Sequence, residues 1–104
     1  LYNIITLTKE RLKMKFEWDI NKNKSNTEKH GITFEDASKV FDDETSLIEF
    51  SRLVGDEERI QIIGKILDIV IIIVAYTERN ESTRIISARK ASKIERGKYY
   101  DHQK

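Results

Sequence analysis

The 104 residues suffice for one domain with a modest core, since single domains commonly hold about 100 to 150 residues. Hydrophobic residues make up 38% and charged residues 36%, and 19 Lys and Arg against 18 Asp and Glu exclude a globally basic nucleic-acid binder. The chain has no Cys, which excludes a disulfide framework and favours a reducing, cytoplasmic location, and no apolar run approaches the roughly 18 residues of a membrane span.

The first segment, residues 1–13, has apolar residues at its front and cations behind them, which reverses the order of a signal peptide. We expect it to be an upstream extension outside the fold. Residues 14–104 are then a single domain whose functional start is Met14.

The N-terminal part of this domain predicts a strand and two helices. Polar and aromatic residues alternate at 15–18, which is typical of a short strand. Asp19 is a good N-cap and Gly31 a good C′ residue for a polar helix over residues 20–30. Thr33 is the expected N-cap of a second helix. Its apolar stripe is Phe34, Ala37, Val40 and Phe41.

The rest of the chain is rich in β-branched residues and predicts a sheet followed by a helix. Gly64-Lys65 is the expected two-residue hairpin loop, and the apolar segment after it is the expected central strand. The predicted strands cover 46–52, 58–63, 66–76 and 83–88, and the helix covers about 90–101. The fold class is therefore α+β, with about four mostly antiparallel strands, two N-terminal helices and one C-terminal helix.

A loop at Gly64-Lys65 determines which residues share a face of the sheet, because side chains alternate along each strand. Arg59 would face Val70, on the side opposite the helices. The apolar residues that would contact the helices are Ile60, Ile62, Leu67, Ile69, Ile71 and Ile73. The open side would carry Val70, Ile72, Val74 and Tyr76, and an exposed apolar patch of this kind predicts a covering partner chain.

The next loop decides where two more arginines lie. With residues 79–82 as a four-residue loop, Arg89 joins Arg59 on the open face, whereas Arg84 lies opposite Thr77 on the helix side. A three-residue loop would move Arg89 to the other side. Paired guanidinium groups can hold a phosphate, and the alternative is that each arginine pairs with a nearby carboxylate.

Charge is also concentrated near the C-terminus, where six cations stand against one acid between residues 84 and 98. Such a patch is either a site for phosphate or an acidic partner, or a solvated helix face. His30 is a candidate for proton transfer, because an imidazole ordinarily titrates near neutral pH. Alternatively it closes the first helix, where positive charge meets the carbonyl end. Two distant histidines without Cys give no metal-ligand spacing.

Taken together, these features resemble the BrnT family of bacterial type II toxins, small ribonucleases of the RelE-like group. The match extends over residues 15–100, and Glu44 stands where a proline is common in the family. The matching segments are FEWD (16–19), KHGITFEDASKVF (29–41), GDEERIQIIG (55–64), RIISARKA (84–91) and ERGKYY (95–100).

The resemblance implies an endoribonuclease that arrests growth by cleaving RNA through 2′-OH attack, with no metal or other cofactor. It also implies a BrnA-like antitoxin that neutralises the toxin in a hetero-oligomer. Operator DNA would be bound only through that antitoxin. The alternative is a non-catalytic module that binds nucleic acid or bridges to the antitoxin, because both functions need the same basic surface.

The catalytic residues implied by the resemblance are Lys29, His30, Glu58, Arg59, Arg84 and Arg89. We assign Arg59 and Arg89 to phosphate, His30 or Glu58 to proton transfer and Lys29 to electrostatic support, while Arg84 is either catalytic or structural. The candidates for RNA contact are Lys90, Lys93 and Arg96, with Trp18 and Tyr99 as rings that either stack on a base or pack in the core.

Overall fold

The structure is a computed structural model that describes residues 3–10 and 14–103. These residues form a six-stranded mixed sheet with three helices. The strands are β1 (Ile4–Lys9), β2 (Met14–Asp19), β3 (Leu47–Val54), β4 (Glu57–Ile66), β5 (Val70–Arg79) and β6 (Ser82–Lys90). The helices are α1 (Ile20–His30), α2 (Phe34–Ala37) and α3 (Lys93–His102), and a 3₁₀ segment, Ser38–Asp42, continues α2.

The strands are arranged in the order β1-β2-β6-β5-β4-β3. β2 and β6 are parallel, and all other neighbouring pairs are antiparallel. The prediction of about four strands with two full N-terminal helices is therefore wrong. Residues 4–9, expected outside the fold, pair with β2 as edge strand β1, and the second N-terminal helix is a single α-turn followed by the 3₁₀ segment. Residues 1–2 and 11–13 lie outside the described residues.

Helix α1 begins and ends as its capping residues predict. The Asp19 carboxylate accepts hydrogen bonds from the backbone N–H groups of Asn21 and Lys22, which are otherwise unpaired in the first turn. Gly31 ends the helix in the left-handed region at φ 72°, where glycine has no steric cost. Thr33 caps α2 through its side-chain oxygen. These predictions are confirmed.

A buried amide attaches α1 to the sheet. Asn26 donates to the Ala88 carbonyl at 2.8 Å and accepts from the Ala88 N–H at 3.1 Å, so its side chain replaces a neighbouring strand. It also donates to the Ile32 carbonyl at 3.0 Å. These bonds are needed because β2 gives way to α1 after Asp19, which leaves the second half of β6 without a strand partner on that side. Helix α1 therefore lies along the edge of β6.

The hydrophobic core occupies both faces of the sheet. One face packs against α1, α2 and the 3₁₀ segment, and its central residues include Phe16, Phe34, Val40, Ile72 and Val74. The other face is covered at one end by α3, through Ile63, Ile71, Ile73, Ala91 and Tyr99. No described helix packs on the remainder of this second face, which we call the open face.

A carboxylate holds α3 in place at the end of the sheet. The hydroxyl of Tyr99 donates to Asp43 at 2.6 Å, and the same oxygen of Asp43 accepts from the Lys65 N–H at 2.8 Å. Burial by itself would raise the pKa of Asp43, but the hydrogen bonds from Tyr99, Lys65 and Thr45 together lower it. Burial and the neighbouring Asp43 raise the pKa of Tyr99.

The hairpin predicted at Gly64-Lys65 is wrong. Both residues lie inside β4, and the chain turns later, between the paired residues Ile66 and Val70. The turn places Leu67 and Asp68 at φ 54° and 59°, an unusual conformation for residues with a Cβ. The turn has no glycine, and Asp68 is its one residue of a type common in turns.

Gly64 has a packing role instead of a turning role. A Cβ built on it would lie 2.5 Å from Cγ2 of Val40 and 3.2 Å from Cβ of Ser46. The absent side chain thus allows the 3₁₀ segment to approach the middle of β4. A glycine inside a strand often marks such a close approach.

The later turn moves β5 by seven positions along β4: Arg59 faces Thr77 and not Val70. Because seven is odd, the two faces of β5 are exchanged relative to the prediction. The predicted exposed patch of Val70, Ile72, Val74 and Tyr76 is therefore wrong, since these residues pack in the main core. Ile71 and Ile73 lie on the opposite face, under α3.

Candidate active site

Two rows of side chains cross the open face at right angles to the strands. The first row, from β3 to β2, consists of Arg52, Arg59, Thr77, Arg84 and Glu17. The second row, from β3 to β6, consists of Phe50, Gln61, Ala75 and Ser87. Directly opposed residues have Cβ atoms about 5 Å apart. The rows are two residues apart along β3, β4 and β5, or about 7 Å, and three residues apart along β6, where a bulge adds one residue.

Three arginines of the open face donate hydrogen bonds to two carboxylates. Glu57 accepts from Nε of Arg59 and from Nε of Arg79, each at 2.9 Å. The hydrogen bonds from Arg59 and then Arg79 lower the pKa of Glu57, so it is a charged carboxylate at neutral pH. Arg84 donates through Nη1 to Glu17 at 2.9 Å. The bonds to Glu57 use only Nε and leave the Nη groups of both guanidinium groups as donors for an anion.

Arg52 lies at the edge of this group, opposite Arg59 on β3. Its side chain is exposed, and it has no carboxylate partner among residues 3–10 and 14–103. Two guanidinium groups side by side on neighbouring strands repel one another unless an anion lies between them. Arg52 and Arg79 were not predicted as site residues, because neither lies in a segment that carries the resemblance to the family.

Of the predicted catalytic residues, Arg59 and Arg84 are brought together. They flank Thr77, which is buried and donates its hydroxyl to the Glu58 carbonyl at 2.7 Å. The expected pairing of Arg84 with Thr77 is confirmed. Its expected position on the helix side is wrong, because the displaced turn before β5 exchanges the faces.

Arg89 lies on the same face but does not reach this pair. A bulge in β6 places it opposite Ile73, four residues along β5 from Thr77, which corresponds to about 13 Å. Arg89 donates through both Nη groups to the two oxygens of Glu95, at 2.8 and 2.9 Å. This bidentate bond lowers the pKa of Glu95 to about 2 and raises the pKa of Arg89. Arg89 therefore joins β6 to the start of α3.

Glu58 points away from the arginines. It neighbours Arg59 in the strand, so its side chain lies on the opposite face, where it accepts from the Ser51 hydroxyl at 2.6 Å. The carboxylate within the arginine group is Glu57. The resemblance selected Glu58 for catalysis, and the sequence offered Glu57 only as one of the carboxylates that could pair with an arginine.

Lys29 and His30 lie at the end of α1, beside β6. Together with residues of α1 they line a shallow concavity between α1 and β6 that includes Ile86 and Ser87. The same two β6 residues line a second concavity over the open face. The second concavity is otherwise lined by Phe50, Arg52, Arg59, Ile60, Gln61 and Ala75. The end of α1 and the arginine row therefore border one continuous surface that passes over Ser87.

The predicted RNA-contact residues are divided between the surface and the core. Trp18 and Tyr99 are 4% and 1% exposed, so neither presents a ring to a base unless the core opens. Lys90 and Lys93 are exposed. Arg96 is also exposed and donates to the Ala91 carbonyl at 3.0 Å, within the α3 end of the sheet.

Among residues 3–10 and 14–103, no three His, Asp or Glu side chains form a group that could hold a metal ion. In the same residues, no helix has the length and apolar character needed to cross a membrane.

The sequence model of the family described as "Ribonuclease toxin, BrnT, of type II toxin-antitoxin system" matches residues 18–95, well over half of the chain. The match identifies a ribonuclease toxin of a type II toxin–antitoxin system, a class whose members have an antitoxin partner. Within that class, the chain belongs to the BrnT family.

A solved structure agrees with this assignment. The crystal structure of the Brucella abortus ribonuclease toxin, BrnT, is similar with a TM-score of 0.57 and 26% sequence identity, over 73% of this chain and 94% of that chain. No curated protein matches the chain. The BrnT resemblance is thus confirmed, whereas the wider RelE-like grouping stays a prediction.

Proposed function

We propose that this protein is a metal-independent endoribonuclease that cleaves RNA by attack of a ribose 2′-OH on the adjacent phosphodiester and thereby arrests growth. The observation that carries this proposal is the arginine row of the open face in a member of a ribonuclease toxin family. Arg59 and Arg84 flank one buried threonine, and Arg52 lies beside them without a carboxylate partner among the described residues. A phosphate over Thr77 would be within reach of donors from two strands.

The reaction needs charge stabilisation and two proton transfers. A bond forms between the 2′-oxygen and phosphorus, and the bond from phosphorus to the 5′-oxygen breaks. The products are a 2′,3′-cyclic phosphate and a 5′-hydroxyl. A base takes the proton of the 2′-OH, an acid gives a proton to the leaving oxygen, and the crowded phosphorane gains negative charge. Guanidinium groups already fixed in the site stabilise that charge without reorganisation.

The geometry favours particular residues for each role. We assign the phosphate to Arg59 and Arg84, with Arg52 as a further contact. Proton transfer is assigned to His30, which borders the same surface across Ser87, and to Glu57, the carboxylate among the arginines. Glu58 faces away and is the weaker candidate. Lys29 gives electrostatic support, and Arg89 holds α3.

The antitoxin is the second part of the proposal. We expect a BrnA-like protein to neutralise the toxin in a hetero-oligomer and to contact operator DNA itself. An acidic segment over the arginine row would both block the RNA and satisfy the cations that now share Glu57 and Glu17.

The test is cleavage of a labelled RNA by the purified protein, with and without EDTA. We expect a product that ends in a 2′,3′-cyclic phosphate, no loss of rate in EDTA, and no cleavage where one ribose is replaced by 2′-deoxyribose. Arg59→Ala should slow cleavage by roughly 10²- to 10³-fold. Lys24→Ala is the matched control, because Lys24 is an exposed cation of α1 that does not line either concavity. RNA that stays intact with the wild-type protein would contradict the proposal and favour a non-catalytic binder.

A further inference from the structure

The open face carries an exposed aromatic ring for which phosphate binding gives no reason. Phe50 lies on β3 and is 48% exposed, although a phenyl ring in water loses the free energy of burial. Its cross-strand neighbour on the same face is Gln61, and the next residue of β3 on that face is Arg52. The ring therefore stands at the wall of the concavity that the arginines border.

The concavity exists because two small side chains form its floor. Ala75 and Ser87 are the third and fourth members of the Phe50 row, and neither fills the space beside Gln61. From Phe50 to Ser87 the row spans three strand spacings, or about 14 Å. A flat group of several ångströms fits between the ring of Phe50 and the opposite rim, where Ile86 and Ser87 lead to α1.

The chemistry of this concavity distinguishes it from the exposed apolar side chains on the other face of the same strand. Leu53 and Ile48 are more exposed than Phe50 and lie on the other face of β3, away from the arginine row. Phe50 instead lies among two guanidinium groups and one carboxamide. A ring for stacking, an amide that both donates and accepts, and a cation one row away match the face, edge and phosphate of one nucleotide.

We propose that Phe50, Gln61 and the floor of Ala75 and Ser87 form a nucleobase-binding subsite, so that the substrate class is single-stranded RNA. The inference rests on the proposed function only in requiring that RNA binds the open face. A base next to the scissile phosphate stacks on Phe50 and places its edge at Gln61, while Arg52 and Arg59 contact the backbone. Bases paired inside a duplex cannot present their faces to the ring, which excludes double-stranded RNA from this subsite.

The test is binding of a fluorescently labelled 2′-O-methyl oligoribonucleotide, which lacks the free 2′-OH and is not cleaved. We expect the wild-type protein to bind the single strand more tightly than the blunt duplex of the same sequence. Phe50→Ala should weaken single-strand binding roughly 5- to 150-fold, the range for the loss of one base–aromatic stack, and Phe50→Trp should retain it. Leu53→Ala, on the other face of the same strand, should change binding less than twofold.

An oligomer with one abasic position separates stacking from a general loss of structure. We expect one abasic position to weaken binding to the wild-type protein as much as Phe50→Ala weakens binding of the intact oligomer. The same abasic oligomer should bind the Phe50→Ala variant nearly as well as the intact oligomer does. Equal effects of Phe50→Ala and Leu53→Ala, or tighter binding of the duplex, would overturn the inference. So would a Phe50→Ala variant that loses affinity only for the antitoxin, since Phe50 would then belong to a protein interface.

The binding test of the subsite and the cleavage test of the proposed function can fail independently of each other. Wild-type cleavage together with unchanged binding by Phe50→Ala would refute the subsite and leave the ribonuclease intact. Stack-dependent binding without any cleavage would support the subsite and refute the catalytic role.

Discussion

Replacing Gly64 by alanine tests the close approach of the 3₁₀ segment to β4. The new Cβ would lie 2.5 Å from Cγ2 of Val40, closer than real Cβ contacts come, and 3.3 Å from Oδ2 of Asp43. Neither neighbour is free to move. Val40 is fully buried, and Asp43 is held by hydrogen bonds from Tyr99 and Lys65.

The expected cost follows from this overlap. Forcing one methyl into a packed core destabilises a protein by about 1–3 kcal/mol, and we expect Gly64→Ala to fall in the upper half of that range. Gly97 gives the matched control, because a Cβ there meets nothing within 4 Å. Since Gly97 lies inside α3, Gly97→Ala should stabilise the protein by about 0.5–1 kcal/mol.

Urea unfolding followed by circular dichroism measures both changes as shifts of the midpoint at constant slope. The double variant Gly64→Ala, Val40→Ala should be less destabilised than the sum of its single variants, because removal of Cγ2 relieves the overlap. If Gly64→Ala unfolds at the wild-type midpoint, or if the two substitutions simply add, the close approach at Gly64 is not what shapes this part of the fold.

Three further predictions concern side chains that the structure places in defined roles. Asn26→Ala leaves the Ala88 N–H and two carbonyls without partners in a buried place and should cost about 2–4 kcal/mol in urea unfolding, whereas exposed Lys24→Ala should be neutral. The lowered pKa of Glu95 means that its contribution to stability is present above pH 4.5 and is lost as the pH falls from there toward about 2. In the Glu95→Gln variant, the free energy of unfolding should therefore decrease less than in the wild-type protein between pH 4.5 and about 2, as measured by urea midpoints at successive pH values. Induced Arg84→Ala should no longer arrest growth in cells, whereas induced Lys24→Ala should arrest it like the wild-type protein.

Local signals predicted the N-terminal elements well. Asp19, Gly31 and Thr33 each act on backbone groups within a few residues of themselves, so the bounds of α1 and the start of α2 could be read from the sequence. The length of the second helix could not, because its 3₁₀ continuation depends on packing against β4 at Gly64.

The sheet was harder to predict because a glycine in a strand pattern indicates either a hairpin turn or the close approach of another segment. Gly64 reads equally well as a hairpin residue and as a close approach, and the true turn at Leu67 and Asp68 has no glycine. The predicted hairpin displaced the pairing of β4 with β5 by seven positions, which is an odd number. It therefore placed Arg84 on the helix side and the core-facing side chains of β5 in solvent. The pairing of Arg84 with Thr77 was correct, but the bulge at Ile86 in β6 changed every pairing beyond it.

The candidate site was predicted in part for the same reason. Residue type and resemblance selected Arg59 and Arg84, which do lie together. Alternation along β4 places Glu57 and Gln61 on the same face as Arg59. Arg52, in contrast, joins them through the register of β3 with β4, which no local signal reveals.

The most direct test of the arginine row is the single-turnover rate of RNA cleavage by four proteins: wild type, Arg59→Ala, Arg84→Ala and Arg89→Ala. If a phosphate lies over Thr77, loss of either flanking guanidinium should slow cleavage by roughly 10²- to 10³-fold, the usual effect of removing one donor to a developing charge. Arg89→Ala, which removes a cation bound to Glu95 at the α3 end, should cost less than tenfold at a temperature where the variant is folded. A rate that depends on Arg89 and not on Arg59 and Arg84 would contradict the account.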